Sequence, residues 1–480
     1  MSVSTKHSDY LKYQKKWERC RDASAGQDAV HEKGVKYLPR LKEQSQDDYD
    51  AYRDRAVFYN ATWRTITGLQ GMMFRKPPKI EASETIKELF KDITATGINL
   101  QTFALDVAEN ALMVGRHCVF VDYPKSNAKT LADQKNLALR PNLVSYKAEQ
   151  FINWRTERVD NATVLSLAVL EEKAEEVDSV DRFTVTEKMQ YRVLELVNGI
   201  YNVSVYEKDK DDKDVLIEGP YQPQMNGKPM NFIPFFCIGV DDTDTEIDEP
   251  PLIDLVDMNL AHYRTTADYE HGCHFTGLPT PVVTGYTPET AGEKLYIGSQ
   301  AAWVFPSPDA DAKYLEFSGG GLTFLENNLK NKENMMAVLG ARMLEQTKRG
   351  VESAEVAAIH RSGEQSVLAS IAQTISIGLE SALEVLAQWA GSEEDIEFEL
   401  NRDFHPMPLD ANMLNALVNS WQRGAISYPS LFAKLKMGEV IDADVTVEEE
   451  QAKLSTQEPV LTGGAGGRSA DPITADTGGE

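Results

Sequence analysis

Aromatic and apolar positions set the first pattern along the chain. Tyr10, Tyr13 and Trp17 recur at spacings of three and four, which predicts a helix with one aromatic face. After the Leu38-Pro39 interruption, helical spacing resumes over residues 49–73 through Tyr52, Ala56, Tyr59, Trp63, Ile66 and Leu69. Arg75-Lys76-Pro77-Pro78 stops it. Residues 84–89, behind a Ser83 cap, and 100–114, ended by Gly115, predict two more helices. Residues 117–123 (HCVFVDY) read as a buried strand.

From residue 140 to 220 the period falls to two. Strands are predicted over 144–154, 163–170, 190–196 and 201–206, with another at 230–240 (MNFIPFFCIGV). Helices followed by a mostly antiparallel sheet predict an α+β fold. An acidic linker, DDTDTEIDEPP at 241–251, leads into a long helix over 252–275, with Leu252, Leu255, Val256, Leu260 and Tyr263 on its apolar side. Prolines then bracket short strands at 281–284 and 301–305, and Gly319-Gly320-Gly321 closes this β-rich excursion. A second long helix is predicted over 322–344, a loop over 347–353 (TKRGVES), and a third long helix over 354–389. Leu368, Ile371, Ile375, Leu379, Ala382 and Leu386 mark its buried stripe. A helix pair at 412–424 and 429–437 follows. The remainder from Val447 onward is acidic and Gly-rich, and reads as a disordered tail.

Charge narrows the functional classes. Lys and Arg number 49 against 75 Asp and Glu, a net charge of −26, in a chain of 480 residues that is 42% hydrophobic. Such a chain can bury sizeable cores. Its acidity argues against gripping nucleic acid over the whole surface, while leaving room for a channel that DNA passes without sticking. Cys20, Cys118, Cys237 and Cys273 form no CxxC pair, which fits a reducing compartment. No secretory leader and no 18-residue apolar run is recognisable, so no membrane role is expected.

Catalytic motifs are missing. The chain has no GxxxxGK followed by Ser or Thr, no GxSxG and no HExxH, so neither an enzyme nor a cofactor is expected. His262, His271, Cys273 and His274 are metal-ligand types near one helix end. Zinc needs three or four converging ligands, and helix spacing lets only His271 and His274 share a face, so packing is the expected role and no metal is expected. The carboxylates of 241–249 lack the EF-hand spacing and its Gly, and read as a solvated linker. Lys348-Arg349 is a compact basic pair between two long helices. It suits either a helix C-terminus or a cationic tip that touches a polyanion. Two helices of twenty-odd residues reach on the order of 30 Å. With a β module between them they suit an interface-building strut better than a small-molecule site.

Several blocks resemble tailed-bacteriophage portal proteins, the head-to-tail connectors. They are RAVFYNATWRTITGLQGMMFRKPP (55–78), ALMVGRHCVFVDYP (111–124), AEQFINWR (148–155), IPFFCIG (233–239) and PPLIDLVDMNLAHYRTTADYEHGCHFTGLPTPVVTG (250–285). The resemblance is to a subfamily long described as a phage domain of unknown function. It implies a dodecameric ring at one capsid vertex of the virion, assembled in host cytoplasm. The ring is a conduit for double-stranded DNA in packaging and ejection. Implied partners are further copies of the chain, the terminase large subunit, a head-tail adaptor, and the major capsid and scaffold proteins.

Carried onto this chain, the resemblance implies a wing at 1–250 and stem helices at 251–276 and 322–346. A clip falls at 277–321, a tunnel loop at 347–353, a long wing helix at 354–390, a crown at 391–438 and the tail at 439–480. Lys348 and Arg349 then face DNA. Pro281, Trp303 and Phe305 fall in the clip region that docks adaptor and terminase. The alternatives are another virion assembly component, such as an adaptor or scaffold-like protein, or a metal-dependent enzyme built on the histidines.

Overall fold

The computed structural model describes residues 2–124, 139–177, 181, 183–277, 280–284, 309, 311–315, 320–344, 366–404, 409, 411–438, 440–441 and 445–456. The chain divides into two compact units, Met1–Phe404 and His405–Glu480.

In the first unit, α1 (Ser8–Ala25) buries Tyr10, Trp17, Cys20 and Ala23, positions that fall on one helical stripe. His7 Nδ1 accepts from Asp9 N and caps it. α2 (Gln27–Glu32) follows. The helical spacing over 49–73 forms two helices rather than one, α3 (Gln46–Arg55) and α4 (Ala61–Met73). Side chains stabilise the break. Asn60 Oδ1 accepts from Trp63 N at 2.9 Å as the α4 cap, and Gln27 Oε1 accepts from Phe58 N at 3.1 Å.

Beyond α4 lie β1 (Lys79–Glu81), α5 (Glu84–Phe90) and α6 (Leu100–Val114). Gly115 ends α6 at φ +78, and a Cβ there would press to 3.0 Å on the carbonyl oxygens of Asp248 and Glu249. This contact fixes where the acidic linker crosses the fold.

β2 (Arg116–Asp122) is almost wholly buried and pairs antiparallel with β3 (Asn142–Lys147). The predicted strand over 144–154 is interrupted. A single 3-10 turn at Ala148–Gln150 passes the chain from β3 to β4 (Phe151–Val159), which belongs to a different sheet. Gln150 Oε1 accepts from Lys147 N, and Arg21 holds Glu149 at 2.9 and 3.1 Å, so the turn is tied to α1. β4, β5 (Ala162–Val177), β6 (Val185–Val197), β7 (Ile200–Lys208) and β8 (Asp214–Tyr221) then form a five-stranded antiparallel meander in sequence order. β9 (Gln224–Met225) and β10 (Lys228–Pro229) make a small hairpin. β11 (Phe235–Gly239) pairs with the other edge of β2, giving the sheet order β11-β2-β3.

Among the described residues this unit continues with α7 (Ile253–Gly277), β12 (Thr280–Thr284), β13 (Asp311–Leu315), α8 (Gly320–Arg342), α9 (Val367–Trp389) and β14 (Glu397–Glu399). α9 buries the expected stripe of Leu368, Ile371, Ile375, Leu379, Ala382 and Leu386. It lies so close to β11 that a Cβ on Gly378 would sit 2.6 Å from Ile238 Cγ1. β14 pairs antiparallel with β1, Lys79 opposite Glu399. Residues 391–404 therefore belong to this unit.

The second unit contains α10 (Ala411–Gln422), α11 (Tyr428–Met437) and α12 (Val447–Thr456). α12 corrects the disordered tail expected from Val447. Thr446 Oγ1 accepts from Glu449 N while Glu449 Oε2 accepts from Thr446 N, both at 3.1 Å. That reciprocal cap, with Glu448, Glu449 and Glu450 at the positive end of the helix dipole, holds one short helix in an otherwise Gly-rich stretch. Residues beyond 456 lie outside the described residues.

Candidate functional site

The two long helices α7 and α8 pair as an interrupted hairpin, with the β12–β13 ladder between them in sequence. Thr280 stands opposite Leu315 and Thr284 opposite Asp311 in that ladder. The root of α7 is locked into the unit. Asn259 is fully buried. Its Oδ1 accepts from Thr62 N at 3.1 Å and Thr62 Oγ1 at 3.0 Å, and its Nδ2 donates to Tyr59 O at 2.7 Å. A buried amide with three such bonds fixes both position and orientation. Its signal in the sequence is an Asn one turn from Leu255 and from Tyr263, on the apolar stripe.

Polar groups tie α7 to α8. Lys332 Nζ donates to Ala261 O at 3.0 Å and to Thr265 Oγ1. Glu333 Oε1 lies 3.4 Å from His262 Nε2. Burial lowers the His262 pKa against the pull of Glu333, and burial beside Arg264 lowers that of Lys332.

α8 itself is barely covered. Among its 23 residues Met336 is the buried one, whereas Phe324 is 69% exposed, Met335 53% and Val338 52%. Phe324, Met335 and Val338 are 11 and 3 positions apart, which puts them on one face of the helix. A shallow groove of about 440 Å³ runs beside Met335 and Val338, lined also by Met258, Asn331, Leu339 and Arg342.

The histidines do not converge. His262 faces α8, while His271 packs edge-on to Tyr52 at 5.2 Å and His274 Nε2 lies 3.4 Å from Arg55 Nη2. Tyr52 Oη donates to Asp268 at 2.6 Å. These side chains dock α3 against α7. Among the described residues, no group of three His, Cys, Asp or Glu is placed to hold a metal ion.

Three carboxylates of the acidic linker cap its own turns, and Glu249 pairs with Lys16 at 2.6 Å. Asp248 Oδ2 accepts from Val240 N and Asp241 N, Asp242 from Asp244 N, and Asp244 from Glu246 N. Asp106, His117 and Ser145 have the types of a nucleophilic triad in the wrong order. Ser145 Oγ donates to Asp106 Oδ2 at 2.9 Å and shares His117 Nε2 at 3.0 Å, so no base stands ready to take the hydroxyl proton toward a substrate.

Lys348, Arg349, Trp303 and Phe305 lie outside the described residues, as does the loop 347–353. Pro281 sits in β12, in register with Tyr314. No helix among the described residues is long and apolar enough to cross a membrane.

No curated protein matches the chain. The chain is similar to solved chains from gene transfer agent (GTA) particles. To a chain in the virion of the native particle it is 12% identical with a TM-score of 0.38, covering 90% of this chain and 99% of that one. To a chain in the neck of the empty particle, computed with C6 symmetry, it is 11% identical with a TM-score of 0.39, covering 88% and 97%. To a chain in the neck of the native particle, computed with C12 symmetry, the values are 13%, 0.38, 82% and 94%. Residues 251–390, which begin at the α7 root and run through α8 to the end of α9, match the family described as Domain of unknown function (DUF4055).

Proposed function

We propose that this chain is a portal-type subunit. It closes with further copies into a dodecameric ring at one vertex of a phage-like virion, as part of the head-tail connector. In this reading α7 and α8 are the stem around the channel, and β12 and β13 belong to the clip that meets adaptor and terminase. The ring passes double-stranded DNA during genome packaging and ejection, and performs no catalysis of its own.

The observation that carries the reading is α8. A helix of this length with one buried residue gains little from its own subunit, and isolated helices are marginal in water. Its apolar face is what a strut buries against a neighbour. The block 250–285 that resembles portal proteins falls mostly within the segment matched by the family model. The net charge of −26 fits a conduit, because a surface that grips phosphate would stall the strand it passes.

Light scattering on a sizing column, with negative-stain images of the same peak, tests the proposal. Annular particles of about twelve copies, each of 53.5 kDa, are expected. A chain that stays monomeric at high micromolar concentration with scaffold protein present overturns it, as does a compact dimer retaining stoichiometric metal after dialysis.

A further inference from the structure

A buried cluster joins β2 to β11, and the stem does not use it. Cys118 and Cys237 are register partners on the two strands, with their Sγ atoms 3.9 Å apart. Val121 N donates to Pro234 O, which makes Phe120 and Phe235 a pair without mutual backbone hydrogen bonds. Two positions along, Cys118 and Cys237 are a pair of the same type. Cα atoms in such pairs lie about 4.5 Å apart, within the roughly 4.4–6.8 Å that a disulfide spans. Side-chain rotation alone can bring the sulfurs together.

Arg116, two residues before Cys118, shares that face. It is 1% exposed. Its guanidinium lies over the rings of Phe151 at 4.8 Å and Trp154 at 4.5 Å. Nη2 donates to Cys237 Sγ at 3.6 Å and to Thr245 O at 3.2 Å, whereas Nε and Nη1 have no hydrogen-bond partner. No carboxylate forms a salt bridge with it among the described residues. A buried guanidinium demands a counter-charge, and the sulfur of Cys237 is the group in place to supply one. The Cys118 hydrogen bond and then Arg116 draw the Cys237 thiol down, while burial pushes the Cys118 thiol up. The cluster thus holds a nucleophilic sulfur, a resolving thiol beside it, and a fixed cation that favours the thiolate.

We propose that Cys118 and Cys237 form an oxidation site, a cross-strand dithiol that a small neutral peroxide converts to an intrachain disulfide. The Cys237 thiolate attacks one oxygen of hydrogen peroxide, breaking the O–O bond, and leaves a sulfenic acid and hydroxide. The Cys118 sulfur then attacks the Cys237 sulfur, and the departing hydroxyl leaves as water with the Cys118 proton. Two electrons pass from the sulfurs to the peroxide oxygens. Burial sets the class of oxidant. Both sulfurs are enclosed, which bars a bulky disulfide and leaves a reagent of water-like size as the class of oxidant to test.

The test uses the full-length chain carrying Cys20→Ser and Cys273→Ser, treated with hydrogen peroxide at neutral pH, quenched, denatured and alkylated. The expected result is loss of both remaining thiols and one cross-linked peptide pair containing Cys118 and Cys237. The reaction should be at least tenfold faster folded than in urea. Restoring Cys273, which is partly exposed, supplies a positive control for the oxidant. Two free thiols after Cys273 has reacted fully overturn the proposal, as does an equal rate in urea. In Cys237→Ser, with circular dichroism unchanged, Cys118 is expected to become at least tenfold less reactive. Undiminished reactivity there removes the role given to Cys237. Arg116→Lys, which keeps the charge, should stay within threefold of the parent rate, and Arg116→Gln should fall below it. Equal rates in the two variants refute the part assigned to the cation.

Discussion

The uncovered face of α8 gives the sharpest test of the proposed stem. The perturbation is Phe324→Gln with Met335→Gln and Val338→Gln. Fully burying a Phe, Met or Val side chain is worth roughly 1.5–3 kcal/mol. The three residues leave 69%, 53% and 52% of their surface exposed, so half or more of that gain is still available to a neighbour. Each then contributes on the order of 1–2 kcal/mol, and the three together about 4 kcal/mol per subunit contact, a thousandfold or so in association constant. Gln keeps the helix preference and part of the apolar stem, while the share of each side chain already covered within the subunit is lost, so the isolated subunit should lose about 1–2 kcal/mol, less than the contact does. Sedimentation velocity over a concentration series reads the assembly, and circular dichroism melting reads the subunit. The triple variant should stay monomeric at concentrations where the parent is expected to form rings, with its melting midpoint lowered by no more than a few degrees. Rings forming at the parent's concentration would refute the reasoning. A large fall in the midpoint would mean that these side chains belong to the subunit's own core.

Two further outcomes follow from the first unit. Burial holds the His117 imidazole down to about 4 against the pull of Asp106, from the usual 6.5. The unfolded chain therefore takes up a proton that the folded chain refuses, and stability falls as pH drops from about 6.5 toward 4, by up to about 3 kcal/mol. Urea midpoints at pH 7 and pH 5 should differ less in His117→Gln than in the parent, and equal differences would acquit His117. Gly378→Val drives a methyl into Ile238 across the α9–β11 seam, where overpacking costs about 1–3 kcal/mol. Its melting midpoint should fall by several degrees, and an unchanged midpoint would mean that the seam relaxes freely.

Long periodic segments were the legible part of the fold. Helical spacing predicts 100–114, and α6 spans Leu100–Val114. It predicts 252–275, and α7 spans Ile253–Gly277. Each segment carries one apolar stripe and an end signal, so burial and local preference agree. The failures have physical causes. The α3–α4 break is stabilised by Asn60 and Gln27, distant polar acceptors that leave no mark on hydrophobic spacing. The passage from β3 to β4 keeps apolar residues in step, so the period of two hides a change of sheet. β8 is an exposed edge strand, and without a buried face it shows no alternation. α12 is a matter of capping rather than core. The histidines illustrate the same limit at the candidate site. Their types and spacing suggest ligands, but the packing of α3 and α8 sends them to different neighbours.

The rigidity of the stem root fits the proposed ring in a way that exposed area alone does not. A closed ring repeats one rotation between neighbours, about 30° for twelve copies, and a small error in that angle accumulates with each subunit until closure fails or the count changes. A stem that builds the contact must therefore leave its own subunit in a fixed direction. Asn259 binds the first turns of α7 to Tyr59 and Thr62. Gly115 lets α6 seat against Asp248 and Glu249 just before that helix begins. Asp248 pins the linker to Val240 and Asp241, just past the end of β11. Lys332 then clamps α8 to α7 through Ala261 and Thr265. Polar and backbone contacts of this kind are directional, whereas apolar contacts tolerate sliding. The subunit thus places its directional bonds at the root and leaves its apolar face uncovered along α8. That division of labour suits a strut that sets an angle and then associates through it.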